Sequence, residues 1–177
     1  KIFNFIGKDN IPFHAVIWPA ELLGIERLYE DDPGKHINLP YDVPANEFLN
    51  LEGQKISGSR NWAVWGLDFL SRYDPDPLRY YLTAIMPESK DADWDWGEFV
   101  QHNNHELVAT WGNLCNRVLT FANKHWAGQV PDPGELTDGD KELLAKIEGG
   151  FEKVGGLIEA VKLRAALGEV VALATEA

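Results

Sequence analysis

A glycine, a lysine and an aspartate follow the largely apolar run at the start of the chain, as Gly7-Lys8-Asp9. Residues 2–6 have the character of a buried strand of a parallel sheet, and such sheets bind ligands just beyond the carboxyl ends of their strands. At that position Asp9 could accept hydrogen bonds from both hydroxyls of a ribose, and Gly7 would let the sugar approach the backbone. Alternatively, Asp9 caps the helix that is predicted to follow it.

A histidine and a tryptophan lie one helical turn apart, at His14 and Trp18. Apolar residues recur at helical spacing over residues 13–24, with Pro12 before them and Gly24 at their end, which predicts a helix. Side chains four residues apart lie on one helix face, so both rings could line one cavity. Alternatively, His14 is a hydrogen-bonded core histidine and Trp18 an ordinary buried tryptophan.

A lysine and two serines recur in the segment Lys55-Ile56-Ser57-Gly58-Ser59, which follows a predicted turn. A lysine ammonium on a loop can stabilise negative charge that develops in a transition state, and it needs no proton transfer to do so. The alternative interpretation is an ordinary polar surface loop.

Asn113 and Arg117 are four residues apart in a predicted helix, so they share a face and could contact one nucleotide together. An arginine can stack on a base or bind its edge, which suits an unstacked loop nucleotide. A solvated polar helix face is the alternative. His102 and His105 are close in sequence, but two histidines without a third ligand do not predict a metal site.

In this order, the segments Gly7 to Trp18 and Lys55 to Ser59 resemble the second half of the active site of the methionyl-tRNA synthetases, which are class I aminoacyl-tRNA synthetases. The second segment is similar to that family's signature loop, usually written KMSKS. The resemblance continues through the following helices, where Gly112 to Arg117 resembles the first helix of the family's anticodon-binding domain.

The resemblance implies a role for each set of residues: ATP binding for Gly7 and Asp9, methionine binding for His14 and Trp18, catalysis for Lys55, Ser57 and Ser59, and recognition of the tRNA anticodon for Asn113 and Arg117. An aromatic wall suits the apolar, polarizable thioether of methionine. ATP with Mg²⁺ would be a substrate. The implied reaction is that of a methionine–tRNA ligase, which activates methionine as methionyl-adenylate and transfers it to tRNA.

The sequence departs from the family pattern at Gly58, where the signature loop usually has a second lysine. Arg60 could substitute for that lysine. The family's HIGH tetrapeptide and its cysteine-rich zinc-binding insert do not occur in these 177 residues, so we expect any zinc site to lie upstream and the fragment alone to be inactive. Two alternatives remain: a non-catalytic tRNA-binding relative with a degenerate signature loop, and a structural module whose acidic surface binds a basic partner.

The predicted fold is an α/β fragment, the end of a Rossmann-like catalytic domain, followed by a mainly α-helical bundle. We expect three regions: the end of the nucleotide-binding domain at 1–54, the signature loop and a stem-contact region at 55–97, and a truncated anticodon-binding domain at 98–177. The predicted elements after the first helix are a polar insertion at 25–44, a strand at 48–51, two helices within 65–81 with Asp76 as a cap, an acidic connection at 87–95, a helical stripe over 99–121, a loop at 127–139, a long helix that turns near 159–163 and a last helix to 177.

The overall composition restricts the location and the partners of the protein. The chain contains one cysteine, Cys115, and no apolar run of the roughly 20 residues that cross a bilayer. It also has no signal-peptide pattern at its start, so we expect a cytoplasmic protein that does not enter membranes. The net charge of −12 argues against a general nucleic-acid binder. Segment 101–126 has only Glu106 against Arg117 and Lys124, so local contacts with tRNA remain compatible with that charge.

Overall fold

The computed structural model describes residues 3–26 and 37–177. The chain forms two compact units, of which the first comprises Lys1–Asn50 with Pro87–Asp93 and the second comprises Leu51–Met86 with Trp94–Ala177. The three functional regions predicted from the sequence stay a prediction.

The first unit contains a pair of short parallel strands, β1 (Ile6–Gly7) and β2 (Ala45–Asn46). The predicted strand at 2–6 is therefore placed too early, and its expected burial is wrong because the side chains of Phe3 and Phe5 are 53% and 59% exposed. Both strands have two residues, and Ile6 pairs with Ala45 while Gly7 pairs with Asn46.

A continuous helical stretch follows β1. It begins with a tight turn at Lys8–Asn10, continues through a π-helical segment at Phe13–Ile17, in which the Trp18 N–H donates to the Phe13 carbonyl, and ends as α1 (Trp18–Glu26). The predicted helix is confirmed, but Gly24 does not end it. A Cβ at Gly24 would meet no atom within 4 Å, so this glycine is an ordinary helical residue. Half of the predicted polar insertion, residues 27–36, lies outside the described residues.

A three-stranded sheet with the order β4-β3-β5 comprises β3 (Leu49–Leu51), β4 (Gln54–Lys55) and β5 (Ala92–Trp94). The predicted turn between the first two strands is confirmed: Glu52 and Gly53 have φ angles of 49° and 71°, as a two-residue hairpin turn requires. The prediction of a mere connection at 87–95 is wrong, because β5 lies within it. Along β5 the side chains alternate between exposed and more buried positions, and Trp94 is buried. The acidic residues around Trp94 make this alternation hard to see in the sequence.

Aromatic side chains form the core of the second unit. Phe69 comes from α2 (Gly66–Leu70), Tyr81 comes from α3 (Pro75–Ala84), and both pack with Leu51, Trp94 and the partly buried Phe99. The ring centroids of Tyr81 and Trp94 are 4.9 Å apart, in an edge-to-face arrangement. This cluster connects the sheet to the helices.

The start of α3 differs from the prediction. The residue that precedes the helix is Asp74, with an extended backbone, and Pro75 occupies the first helical position. Asp76 therefore lies inside the first turn and is not the cap. Proline at the first helical position has no N–H that needs a partner, which moves the helix start forward by two residues.

The remaining helices belong to the second unit. α4 (Trp96–Gln101), a π-helical segment (His102–Gly112) and α5 (Asn113–Trp126) are continuous, and α6 (Asp138–Glu159) and α7 (Leu163–Glu176) follow. The predicted turn near 159–163 and the last helix are confirmed. The stripe predicted over 99–121 does not stay on one buried face, since Trp111 and Phe121 are 54% and 56% exposed. The π-helical segment changes the helical period within this stripe.

α6 begins with a capping box, in which the Thr137 hydroxyl accepts from the Asp140 N–H and the Asp140 carboxylate accepts from the Thr137 N–H. α6 and α7 approach closely at Gly150, where an added Cβ would lie 2.5 Å from Leu173 Cδ1. No helix in the described ranges is both long and apolar enough to span a bilayer.

Candidate active site

The aspartate beyond β1 lies directly over the preceding glycine. A Cβ added to Gly7 would lie 2.9 Å from Asp9 Oδ1, so only glycine leaves this carboxylate in place. The exposed Asp9 carboxylate accepts a hydrogen bond from Asn10 Nδ2 at 3.3 Å. Within the described residues, no side chain caps the segments Lys8–Asn10 or Phe13–Ile17, so the alternative role of Asp9 as a helix cap finds no support.

His14 and Trp18 line one cavity of about 440 Å³ together with residues 3–6, which precede and enter β1. The two rings make an edge-to-face contact with centroids 6.1 Å apart. His14 Nδ1 lies 3.0 Å from the Asn10 carbonyl oxygen, and because a carbonyl can only accept, Nδ1 carries the proton of this hydrogen bond. In the neutral ring Nε2 is then an acceptor. The cavity therefore combines aromatic surface with one polar ring edge.

The predicted signature loop is a small hairpin of the second unit. Lys55 ends β4, and the backbones of Ser57 and Trp62 exchange two hydrogen bonds of 2.8 and 2.9 Å. The Oγ atoms of Ser57 and Ser59 are 3.2 Å apart, so the two predicted serines lie together. Arg60 Nη2 donates to the Lys55 carbonyl oxygen at 3.4 Å, which is a long contact. This contact connects the two ends of the loop.

Two tryptophans hold this hairpin in place, and the sequence did not indicate their roles. Trp62 Nε1 donates to the Leu51 carbonyl oxygen at 3.1 Å, and Trp65 Nε1 donates to Asn61 Oδ1 at 3.0 Å. Asn61 itself has a φ angle of 51°, in the left-handed region that asparagine tolerates better than most residues. A Cβ at Gly58 would be in ordinary contact with the Trp65 ring, 3.7 Å away.

Asn113 and Arg117 lie in the first turns of α5, and both are exposed. They stand one helical turn apart on one face, as predicted. Their use in binding RNA stays a prediction.

One of the two nearby histidines, His102, belongs to a separate cluster. His102 Nδ1 lies 3.0 Å from Glu106 Oε2, and the Tyr80 hydroxyl donates to the same carboxylate. Burial and this hydrogen bond raise the pKa of Tyr80. Burial opposes ionisation of Glu106, but the hydrogen bonds from Tyr80 and His102 outweigh it and lower the pKa of Glu106. Among the described residues, no group of three or more histidine, cysteine or acidic side chains could hold a metal ion.

Comparisons with known proteins place these motifs in a family. A family model described as tRNA synthetases class I (M) matches residues 1–119. The methionine–tRNA ligase of Thermomicrobium roseum is 57% identical over 174 residues, which are 98% of this chain and 28% of the relative. The corresponding ligase of Thermococcus kodakarensis is 49% identical over 174 residues, which are 98% of this chain and 24% of the relative. The chain thus spans about a quarter of the length of these curated relatives.

The chain is also similar in structure to a solved protein of this family. The structure of Mycobacterium tuberculosis methionyl-tRNA synthetase in complex with methionyl-adenylate matches with a TM-score of 0.84 and 34% sequence identity, covering 96% of this chain and 31% of that chain. This likeness confirms the predicted fold class, and the sequence matches confirm the family that the motifs predicted. The chain belongs to the class I tRNA synthetases of the group denoted M.

Proposed function

We propose that the intact protein containing this chain forms methionyl-adenylate from methionine and ATP and transfers the methionyl group to tRNA. The observation that carries the proposal is the placement of Asp9 and His14. Asp9 lies over Gly7 at the end of β1, and the next residue, Asn10, both donates to the Asp9 carboxylate and accepts from His14. Through Asn10, a carboxylate that could bind ribose is connected by hydrogen bonds to the histidine of a cavity that could bind an amino-acid side chain.

In the first unit, each group has one task. Asp9 accepts hydrogen bonds from the ribose hydroxyls of ATP, and Gly7 lets the sugar lie against the backbone. Trp18 provides an aromatic wall for the thioether of methionine. The contact between His14 Nδ1 and the Asn10 carbonyl fixes the imidazole plane, so that Nε2 meets the ligand in one orientation.

In the second unit, Lys55, Ser57 and Ser59 stabilise the charge that develops on pyrophosphate as it leaves ATP. The hairpin supports this role because the paired backbones of Ser57 and Trp62 hold the loop in one conformation, and preorganised donors stabilise a transition state most effectively. Mg²⁺ enters with ATP as its complex, and zinc belongs to the family's cysteine-rich insert, which is not among these 177 residues.

The exposed side chains of Asn113 and Arg117 contact the tRNA anticodon. This role is favoured because segment 101–126 has one acidic and two basic side chains, whereas the chain as a whole has a net charge of −12. We place the protein in the cytoplasm.

Methionine-dependent ATP–pyrophosphate exchange by the intact protein tests the proposal. We expect exchange with the wild type, a raised KM for ATP in Asp9→Asn, and a raised KM for methionine in His14→Ala. Absence of exchange in the wild type, together with retained tRNA binding that depends on Arg117, would favour the non-catalytic alternative.

A further inference from the structure

A lysine ammonium joins three segments of the first unit. Lys8 Nζ donates to Asp91 Oδ1 at 2.9 Å and also to the Glu47 carboxylate, and it lies 4.4 Å from the centroid of the Phe48 ring. The Lys8 side chain is 34% exposed, so it is half-buried among these partners. The residue thus connects the end of β1 to the segment after β2 and to the segment before β5.

The partners of Lys8 are themselves held in place. Asp91 Oδ1 also accepts from the Phe48 N–H at 3.0 Å. The Glu47 N–H donates to the Pro87 carbonyl oxygen at 2.8 Å, and the Ala92 N–H donates to the Phe48 carbonyl oxygen at 2.9 Å. Each partner residue therefore has a second contact that involves the backbone, which ties the ammonium to paired segments of the first unit.

The charges of this cluster are mutually stabilising. Hydrogen bonds to Glu47 and Asp91 raise the pKa of Lys8, and the hydrogen bond from Lys8 lowers the pKa of Asp91. Both shifts favour the charged forms of Lys8 and Asp91.

A lysine beside a nucleotide-binding aspartate would ordinarily be assigned to the phosphates. The geometry argues against that assignment. Two of the three ammonium donors of Lys8 face carboxylates, and the Phe48 ring covers another side. A triphosphate would have to displace both carboxylates to reach the ammonium, and it would then face their negative charge.

We propose that Lys8 is a positioning residue that holds Gly7 and Asp9 in register for the ribose of ATP without touching the nucleotide. The inference rests on the proposed role of Asp9. Lys8 lies between the two residues in sequence, so anchoring its side chain fixes the backbone on which the Asp9 carboxylate is placed.

The test compares ATP with 2′-deoxy-ATP in the exchange assay on the intact protein. The ratio of kcat/KM for the two nucleotides reports the contact between Asp9 and the ribose, and that contact contributes about 10-fold or more as a hydrogen bond to a charged group. In Lys8→Met, which keeps the length of the side chain, we expect this ratio to approach one. Lys8→Arg should restore part of the ratio, and Asp91→Asn should lower it.

Gly150→Ala is the control for a merely structural effect. It perturbs the packing of α6 against α7, so it should lower Tm and leave the nucleotide ratio unchanged. A Lys8→Met protein with lowered stability but an unchanged ratio would contradict the inference.

The outcomes separate the inference from the proposed function. If Asp9→Asn keeps the wild-type ratio, the ribose role is wrong and the inference falls with it. In a second outcome, the ratio of the two kcat/KM values approaches one in Asp9→Asn but keeps its wild-type value in Lys8→Met, where activity with both nucleotides drops equally. Lys8 then acts on the phosphates, and only the inference is overturned. Loss of the ratio in both variants supports the inference.

Discussion

Replacing Gly58 by lysine should increase the rate of adenylate formation. The structure has room for the change, because a Cβ at this position would be in ordinary contact with the Trp65 ring, 3.7 Å away, and the backbone is not in the left-handed region that would strain a side chain. The hairpin pairing of Ser57 with Trp62 does not involve the Gly58 side-chain position. The new ammonium can therefore extend from the tip of the loop without disturbing its backbone.

The expected gain is modest. A hydrogen bond between the ammonium and the developing phosphate charge contributes about 1.5–3 kcal/mol. Ordering a lysine side chain in the transition state costs up to about 2 kcal/mol, which offsets much of the contact. The net gain is about 1 kcal/mol, or about fivefold in rate. Gly58→Met is the matched control, since it has a similar length and no charge, and it should give no gain.

Single-turnover formation of methionyl-adenylate by the intact protein measures this effect directly. Arg60→Ala is examined beside it, because Arg60 Nη2 contacts the Lys55 carbonyl at the other end of the loop. We expect a gain from Gly58→Lys and a loss from Arg60→Ala. A gain near zero with a severe loss in Arg60→Ala would show that Arg60 already fills the role of the missing lysine. No effect from either change would refute the assignment of this loop to catalysis.

Three further predictions concern activity and stability. Lys55→Ala in the intact protein should raise the activation barrier by about 2–4 kcal/mol, as for the loss of one charge-stabilising donor; a weakened methionine Kd with an unchanged single-turnover rate would contradict this. The purified 177-residue chain should not catalyse methionine-dependent ATP–pyrophosphate exchange, and measurable exchange would refute its dependence on a HIGH-containing segment. Thermal unfolding should distinguish two adjacent glycines of α6. The added methyl group of Gly149→Ala meets nothing within 4 Å and should stabilise the protein by up to about 1 kcal/mol, whereas that of Gly150→Ala meets Leu173 and should destabilise the protein by about 1–2 kcal/mol. Equal effects of the two substitutions would contradict the close packing of α6 against α7.

Features that depend on a few neighbouring residues could be predicted from the sequence. The turn at Glu52-Gly53 is one example, because a two-residue hairpin needs left-handed backbone angles that glycine adopts freely. The last two helices are another, since the apolar spacing and the break near residue 160 are both local signals. The close approach of Asp9 to Gly7 is also local, since the two residues are only two positions apart, while their role in ATP binding stays a prediction.

Features that depend on distant partners could not be predicted. The acidic partners of Lys8 are 39 and 83 residues away along the chain, and no local pattern connects them. β5 was missed for the same reason: Ala92 pairs with Phe48, and without that partner the segment resembles a polar connection. The exposed rings of Phe3 and Phe5 show that apolar character alone does not establish burial.

In the two π-helical segments, the number of residues determines the direction in which the following side chains point. Each precedes a candidate binding residue: the Trp18 N–H donates to the carbonyl of Phe13, and the Asn113 N–H donates to that of Val108, five residues earlier in both cases. Such a turn holds one residue more than an α-helical turn, so deleting a single residue would let the helix close regularly without breaking it. Everything that follows would then rotate by about 100° relative to what precedes it. A one-residue gap at either place in an alignment would thus re-aim Trp18 or Asn113 while leaving their identities unchanged.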